Sequence, residues 1–458
     1  MHSKDIQVTF WGGVGTVTGA NFLLESPHTK ILVDCGLLQG EAGAYEKNKE
    51  AFPYDPKKID YLFITHAHLD HIGRVCKLVR DGFSGTIFST QETKEIANMM
   101  FLDALKVMTM KEKELIDGHH QKPLYESNDL NKAVSLWKTI SYHVPTKIND
   151  EFQVFLKDAG HILGSSMYEF SYNGKKIVFT GDSGNSPAPL LRDTEEINDA
   201  DYIIMDSVYG DSNHESKEER DERFREIVLE TIERGGALVI PAFSIERTQV
   251  VLYELNNLIE DGKIPEVPVY MDSPLGSKVT DVYSRHSKDF NKGVQKEIKG
   301  GDDIFDFPKL RIIHGSQESM SIASTPNPKI IIAGSGMSSG GRVIWHEMIF
   351  LPDPKSTVLM MGYQAVGTLG RRIQDRPASV EINGRMVPVK AKIEMISGYS
   401  SHKDSDNLVK LVSNTAKTVK KVFVVMGEPK ASTFLAQRLR DELEVDAIYP
   451  ERGISYKL

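Results

Sequence analysis

Cysteine is nearly absent. Cys35 and Cys76 are the only two in 458 residues, which argues against a disulfide framework. No apolar run approaches the ~20 residues that span a bilayer. The first ten residues, MHSKDIQVTF, lack the apolar core of a signal peptide. The expected setting is therefore cytoplasmic, with no membrane partner. Positive charge is not in excess either: 55 Lys and Arg stand against 64 Asp and Glu, a formal net charge of -9. Nucleic-acid binders are ordinarily basic, so a polyanionic substrate here would have to be met by a local basic groove or by metal ions. The chain contains no internal repeat and no low-complexity tract. Neither GGVGTVTG nor GSGMSSGGR satisfies G-x-G-x-x-G, which excludes a dinucleotide fingerprint.

What is present is a rhythm of short β-rich runs. Up to residue 206 they fall at 6–10, 30–33, 61–64, 86–89, 152–156, 176–179 and 202–205, with an amphipathic helix expected over 92–106. Several of these strands end in a residue with chemistry to offer: ILVD in Asp34, LFITH in His66, IVFTGD in Asp182 and YIIMD in Asp206. Polar residues at the C-terminal ends of strands are where α/β sheets place their sites. Beyond VYGD the pattern becomes a strict alternation of strand and helix (ALVIPAF, VPVYMDSPLG, KIIIAGSGMSSGG, TVLMMGYQ), which predicts a parallel sheet. The last segment, from about 391, is too short for a rich core of its own and is expected to complete the first domain. The division expected is 1–207, an insertion over 208–390, and a completing segment over 391–458.

The densest chemistry lies in THAHLDH, residues 65–71. Imidazoles and carboxylates are ligands for zinc and similar ions, and paired ions suit phosphoryl displacement. Residues two apart in an extended segment point the same way, so His66 and His68 can grip one ion. Asp70 and His71, a turn further on, can face another.

THAHLDH resembles the signature of the metallo-β-lactamase superfamily, and the rest of that pattern follows in order: Asp34 in LVDCG, His161 in DAGHILGS and Asp182 in FTGDSG. The resemblance implies an αββα sandwich with one ion on His66, His68 and His161, a second on Asp70 and His71, and Asp182 bridging both. Asp34 would support the ligands. Zinc is the expected ion, with manganese as the alternative, and a hydroxide between the ions would be the nucleophile.

The insertion selects a branch. MDSVYGD, PAFSIERTQ, MDSPLGS, AGSGMSSGGR, GYQAVGTLGRR and ISGYSSHKD resemble, in succession, the β-CASP nucleases, and the match covers nearly the whole chain. No added C-terminal domain of the RNase J kind and no KH-type leader is expected. The implied activity is hydrolysis of RNA phosphodiester bonds, endonucleolytic in mode, on single-stranded or flexible RNA. Asp206 and His402 match the pair that helps protonate the leaving 3′-oxygen, and Asp182 and Asp70 complete the expected catalytic set. A homodimer is compatible with the resemblance. One position departs from the pattern: VFVVMGEP carries Met426 where the RNA-processing members carry a histidine on the second ion. Thioether sulfur is a poor ligand for zinc beside imidazole, so the second site is expected to be the weaker. The departure leaves two alternatives open, a DNA nuclease of the same fold and a catalytically weakened RNA-binding subunit. For substrate contact the candidates are Ser335, Gly336 and Ser338 in the Gly/Ser loop, together with Arg342, Arg247, His346 and Arg371.

Overall fold

The computed structural model describes residues 6–40, 43–114 and 122–458. These divide into two compact units. The first comprises residues 1–186, 193–213 and 402–458; the second comprises 187–192 and 214–401.

The first unit is built on two seven-stranded sheets. One runs in the order Ser455–Lys457, Gln7–Gly12, Asn21–Glu25, Lys30–Val33, Tyr61–Phe63, Thr86–Ser89, Trp137–Thr139. The other runs Ala447–Ile448, Lys421–Val424, Tyr202–Met205, Lys175–Phe179, Ser166–Tyr172, Gln153–Asp158, Thr146–Lys147. Their inner faces share a single aromatic core in which Phe10, Phe22 and Phe63 meet Phe170, Phe179 and Phe423. Phe63 packs edge-on against Phe170 with ring centroids 4.9 Å apart, a geometry that adds to the area each ring buries. The outer face of the second sheet is covered by helices Ser405–Ser413 and Pro429–Leu443, whose Leu408, Val412, Leu435 and Leu439 join a second core with Ile203, Met205 and Val424. The layering is the expected αββα sandwich.

The second unit carries a six-stranded sheet in the order Leu310–Ile312, Val269–Asp272, Lys329–Ala333, Ala237–Pro241, Thr357–Met361, Lys392–Ile396, parallel at every pairing. Four of its strands, ALVIP, VYMD, KIIIA and TVLMM, are buried along their whole length, as expected for a parallel sheet covered on both faces. Helix Lys217–Glu233 begins with a capping box between Ser216 and Glu219. Helix Pro274–Arg285 begins with a Ser273 cap followed by proline.

Two features differ from the sequence reading. Strands Asn21–Glu25 and Ser166–Tyr172 form without having been foreseen; both are buried on both faces over most of their length, so neither shows an alternating pattern. Strand Lys392–Ile396, assigned by sequence to the completing segment, pairs with Thr357–Met361 in the second unit's sheet, and the first unit resumes at His402. The change of unit falls in a Gly/Ser-containing turn, where no shift in composition marks it. Among the described residues, no helix is long and apolar enough to cross a membrane.

Candidate metal centre

The histidine cluster is placed by a strand end and one helical turn. Strand Tyr61–Phe63 leads into residues 65–68, and His68, in extended conformation, precedes helix Leu69–Ile72. His66 and His68 therefore approach from the extended segment, while Asp70 and His71 come from the turn. The helix is tied down by a neighbouring chain segment. Ala20 N–H donates to Asp70 O at 2.9 Å and Cys35 N–H to His71 O at 2.7 Å. Gly36 lies so close that a Cβ there would meet the Asp70 carbonyl at 1.5 Å. Only glycine permits that approach.

The ligand atoms converge. His68 Nδ1 lies 3.0 Å from His66 Nε2 and 3.2 Å from His161 Nε2. Asp182 faces both sides: Oδ2 lies 3.5 Å from His66 Nε2 and 3.6 Å from His161 Nε2, while Oδ1 lies 3.3 Å from His71 Nε2. Asp70 Oδ2 stands 3.9 Å from His71 Nε2. Two groups result, His66–His68–His161–Asp182 and Asp70–His71–Asp182, with the ligand atoms of each within 4.8 Å of one another and Asp182 in both. Buried polar atoms ordinarily find partners. Here His71 Nε2 and Asp182 Oδ1 are buried with no hydrogen-bond partner among the described residues. A nitrogen and an oxygen left in that state, among imidazoles and carboxylates, suit divalent cations.

Asp34 anchors the cluster from behind. Its Oδ1 accepts from Thr65 N–H at 2.8 Å, and its Oδ2 accepts from the Thr65 hydroxyl and from His71 Nδ1, both at 2.7 Å. Fixing one ring nitrogen in this way dictates which nitrogen remains for a metal. The electrostatics follow from burial and crowding. Burial, then neighbouring imidazoles, pushes His66 and His68 well below the ordinary histidine range. For His71 burial acts in the same direction but is outweighed by the Asp182 and Asp34 carboxylates, and its pKa is held high. Burial raises Asp70 to about 6.

Asp206 and His402 stand beside Asp182. His402 Nδ1 lies 3.9 Å from Asp206 Oδ2 and 3.9 Å from Asp182 Oδ2. Asp206 Oδ1 accepts from Ser183 N–H at 3.0 Å. Burial, then the Asp182 charge, lifts Asp206 to about 7. His402 is held by an antiparallel bridge to Gly184 and by the Lys403 N–H bond to the Ser183 carbonyl, 2.9 Å.

Met426, where the resemblance led to the expectation of a histidine, lies against the back of the cluster. It is 1% exposed, has φ 47°, and lines a cavity of about 10 Å³ with Asp34, Thr65 and His71. Its sulfur would sit 2.5 Å from a Cβ on Gly13, so glycine opposite gives the thioether room.

The seven substrate-contact candidates all belong to the second unit and have different surroundings. Ser335 is half-buried; Gly336 and Ser338 are buried. The Arg342 guanidinium is held by Asp272 and by the carbonyls of Ile313 and His314. His346 is fully buried and pairs with Asp272 through Nε2 at 2.7 Å. Asp272 thus engages both, and each has an internal role instead of a surface one. Arg247 is 4% exposed. Arg371 is half-exposed and reaches the Gln364 carbonyl, at 3.4 Å.

Sequence reasoning did not single out Thr65, Asp272 or Lys403. Thr65 sits inside the motif, and Asp272 ends a strand as Asp34 and Asp206 do, so the signal was available. Lys403, 5% exposed with Nζ 3.2 Å from Ser186 Oγ, sits next to His402 in ISGYSSHKD.

Three family models match the chain. Residues 23–199 match the metallo-beta-lactamase superfamily domain, 248–373 the Beta-Casp domain, and 386–450 the Zn-dependent metallo-hydrolase RNA specificity domain. Ribonuclease TTHA0252 of Thermus thermophilus is 32% identical over 434 residues, covering 95% of this chain and 96% of the relative. The chain belongs to the β-CASP family of the metallo-β-lactamase superfamily. Transcription termination factor FttA of Methanosarcina mazei is 30% identical over 97% of this chain and 70% of its own length. An RNase J-like protein of Methanocaldococcus jannaschii is 28% identical over 98% of this chain and 99% of its own. A solved structure from Enterococcus faecalis V583, described as a protein of unknown function, shares the fold at TM-score 0.55 and 14% identity, covering 99% of this chain and 100% of that one.

Proposed function

We propose that this β-CASP protein is a metal-dependent ribonuclease that hydrolyses phosphodiester bonds within single-stranded or flexible RNA. The observation that carries the reading is Asp182, whose two oxygens face two separate groups of ligand atoms while Asp206 and His402 stand alongside. Relatives named as ribonucleases, and the match to an RNA specificity domain, support RNA as the substrate.

His66, His68, His161 and Asp182 would hold one ion; Asp70, His71 and Asp182 would hold the other. Zinc is proposed for both, with manganese able to replace it. Bound there, divalent ions supply Lewis-acid polarisation of the phosphoryl group and a water acidic enough to react near neutral pH. The chain's own residues do the rest. Asp34 and Thr65 fix the His71 ring. His402, beside Asp206 and Asp182, is placed to carry a proton for the leaving 3′-oxygen. The buried free thiols of Cys35 and Cys76 fit a reducing, cytoplasmic compartment.

The test is a matched pair of internally labelled single-stranded RNA and DNA oligonucleotides, incubated with protein that has been stripped by chelator and reloaded with zinc or manganese. Metal-dependent internal cutting of RNA in preference to DNA is expected. Cutting confined to DNA would show that Met426 marks a different branch, and binding of RNA without any cutting would point to a non-catalytic subunit.

A further inference from the structure

The 334–341 loop uses its backbone polar groups unevenly. Most of its carbonyls are engaged by the protein: Gly334 O by Val343 N–H at 2.9 Å, Ser335 O by Ser338 N–H at 3.1 Å, Gly336 O by Gln364 Nε2 at 3.0 Å and Met337 O by Gly370 N–H at 3.0 Å. The amides of Gly336, Met337, Gly340 and Gly341, by contrast, donate to no group among the described residues. A run of amides unused by the fold can receive an anion. Loop conformation decides whether those amides converge, and at Ser338, 1% exposed, the chain takes a left-handed turn with φ 53°. The positive φ is unfavourable for serine, so something must hold it. The Ser338 hydroxyl donates to Glu347 Oε1. Glu347 lies on helix Val343–Phe350, is fully buried, and its Oε2 has no hydrogen-bond partner among the described residues.

We propose that Glu347 is a positioning residue for RNA: through Ser338 it holds the 334–341 loop in the shape that receives a substrate phosphate. The inference rests on the reading of this chain as a ribonuclease and of the loop as a phosphate contact. Charge makes the arrangement workable. An ionised carboxylate beneath an anion-receiving loop would repel the phosphate. Burial raises the Glu347 carboxyl to about 8, so near neutrality it is mostly the uncharged acid. Its neighbour on the helix, His346, is separately engaged with Asp272.

Four variants of the full chain test this: Glu347→Ala, Glu347→Gln, Ser338→Ala and Ser339→Asp. Kinetics on single-stranded RNA should show KM raised about tenfold in Glu347→Ala and Ser338→Ala with kcat nearly unchanged, on the scale of one lost buried hydrogen bond. Glu347→Gln, which mimics the neutral acid, should restore KM to within about twofold, in line with that same charge argument. Ser339 is exposed, so Ser339→Asp adds charge to the loop without disturbing packing and tests the loop reading alone. If Ser339→Asp raises KM but neither Glu347→Ala nor Ser338→Ala does, the loop meets RNA and the role assigned to Glu347 is wrong. An unchanged KM in Ser339→Asp removes the loop from the RNA path, and the inference falls with it. Equal loss of thermal stability and kcat in Glu347→Ala and Glu347→Gln, with KM unmoved, would mark Glu347 as merely structural. Should Glu347→Ala fail to fold, Ser338→Ala and Glu347→Gln carry the comparison.

Discussion

His71 Nδ1 donates to Asp34 at 2.7 Å, and this one bond leaves Nε2 of the same ring facing Asp182 Oδ1, 3.3 Å away. Asp34 is itself locked by two donors from Thr65 and held at φ 60°. The strand end thus orients a ligand it does not include.

Asp34→Asn tests that relationship. The substituted amide keeps one acceptor but presents N–H groups to donors. Metal affinity should fall by ~10–100-fold, the usual loss when a ligand's orienting partner is removed, and stability by about 1–3 kcal/mol. Competition against a chromophoric chelator measures the first and denaturant unfolding of the metal-free protein the second. Unchanged metal affinity would dissociate Asp34 from the site.

The placement of His402 beside Asp206 predicts a role in the departure of the leaving group. His402→Ala should lower kcat by ~10²–10⁴-fold, the range for loss of a general acid, with KM for RNA little changed. Sulfur leaves without needing a proton, so an RNA whose scissile 3′-oxygen is replaced by sulfur should be cut by the variant at close to the wild-type rate. An equal defect on both substrates would place His402 elsewhere in the reaction.

Metal binding should be unequal, because one group offers three imidazoles and a carboxylate while the other offers one imidazole and two carboxylates. Met426 shares a cavity wall with His71, and histidine tolerates a positive φ better than most residues. Met426→His should therefore narrow the gap between the two binding steps in a calorimetric titration with zinc. Two steps of unchanged separation would show that position 426 does not reach the second ion.

Glu347 makes a prediction about pH that needs no substrate. Its folded-state pKa of about 8 lies above the ordinary carboxyl value of 4.5, so the folded protein holds a proton that the unfolded chain has released. That contribution to stability is complete below about 4.5 and is lost as pH rises toward 8. Glu347→Gln cannot ionise, so its thermal midpoint should exceed that of wild type by more at pH 8.5 than at pH 5. A constant difference across that range would mean the carboxyl titrates normally.

Much of the candidate site was legible because its residues are local in sequence. Four of them fall within THAHLDH, and His161, Asp182 and Asp206 each follow a strand run that periodicity exposes. Strands buried on both faces, such as Ser166–Tyr172, hide because alternation disappears when neither face meets water. Arg342 and His346 read as basic groups open to substrate, yet both are turned inward by Asp272, a partner some 70 positions away in the chain. Sequence shows the donor, and only the fold shows where it is committed. Glu347 was invisible for the same reason: its meaning comes from Ser338 and from complete burial.

In the proposed reading, Asp182 joins two metal groups into one hydrolytic centre for RNA. The most direct measurement is cleavage of a 5′-labelled single-stranded RNA, with zinc or manganese, by wild type and Asp182→Ala side by side with their RNA affinities. The account predicts internal fragments from wild type, turnover reduced by orders of magnitude in the variant, and RNA affinity within a few-fold. Equal cutting by both proteins would contradict it.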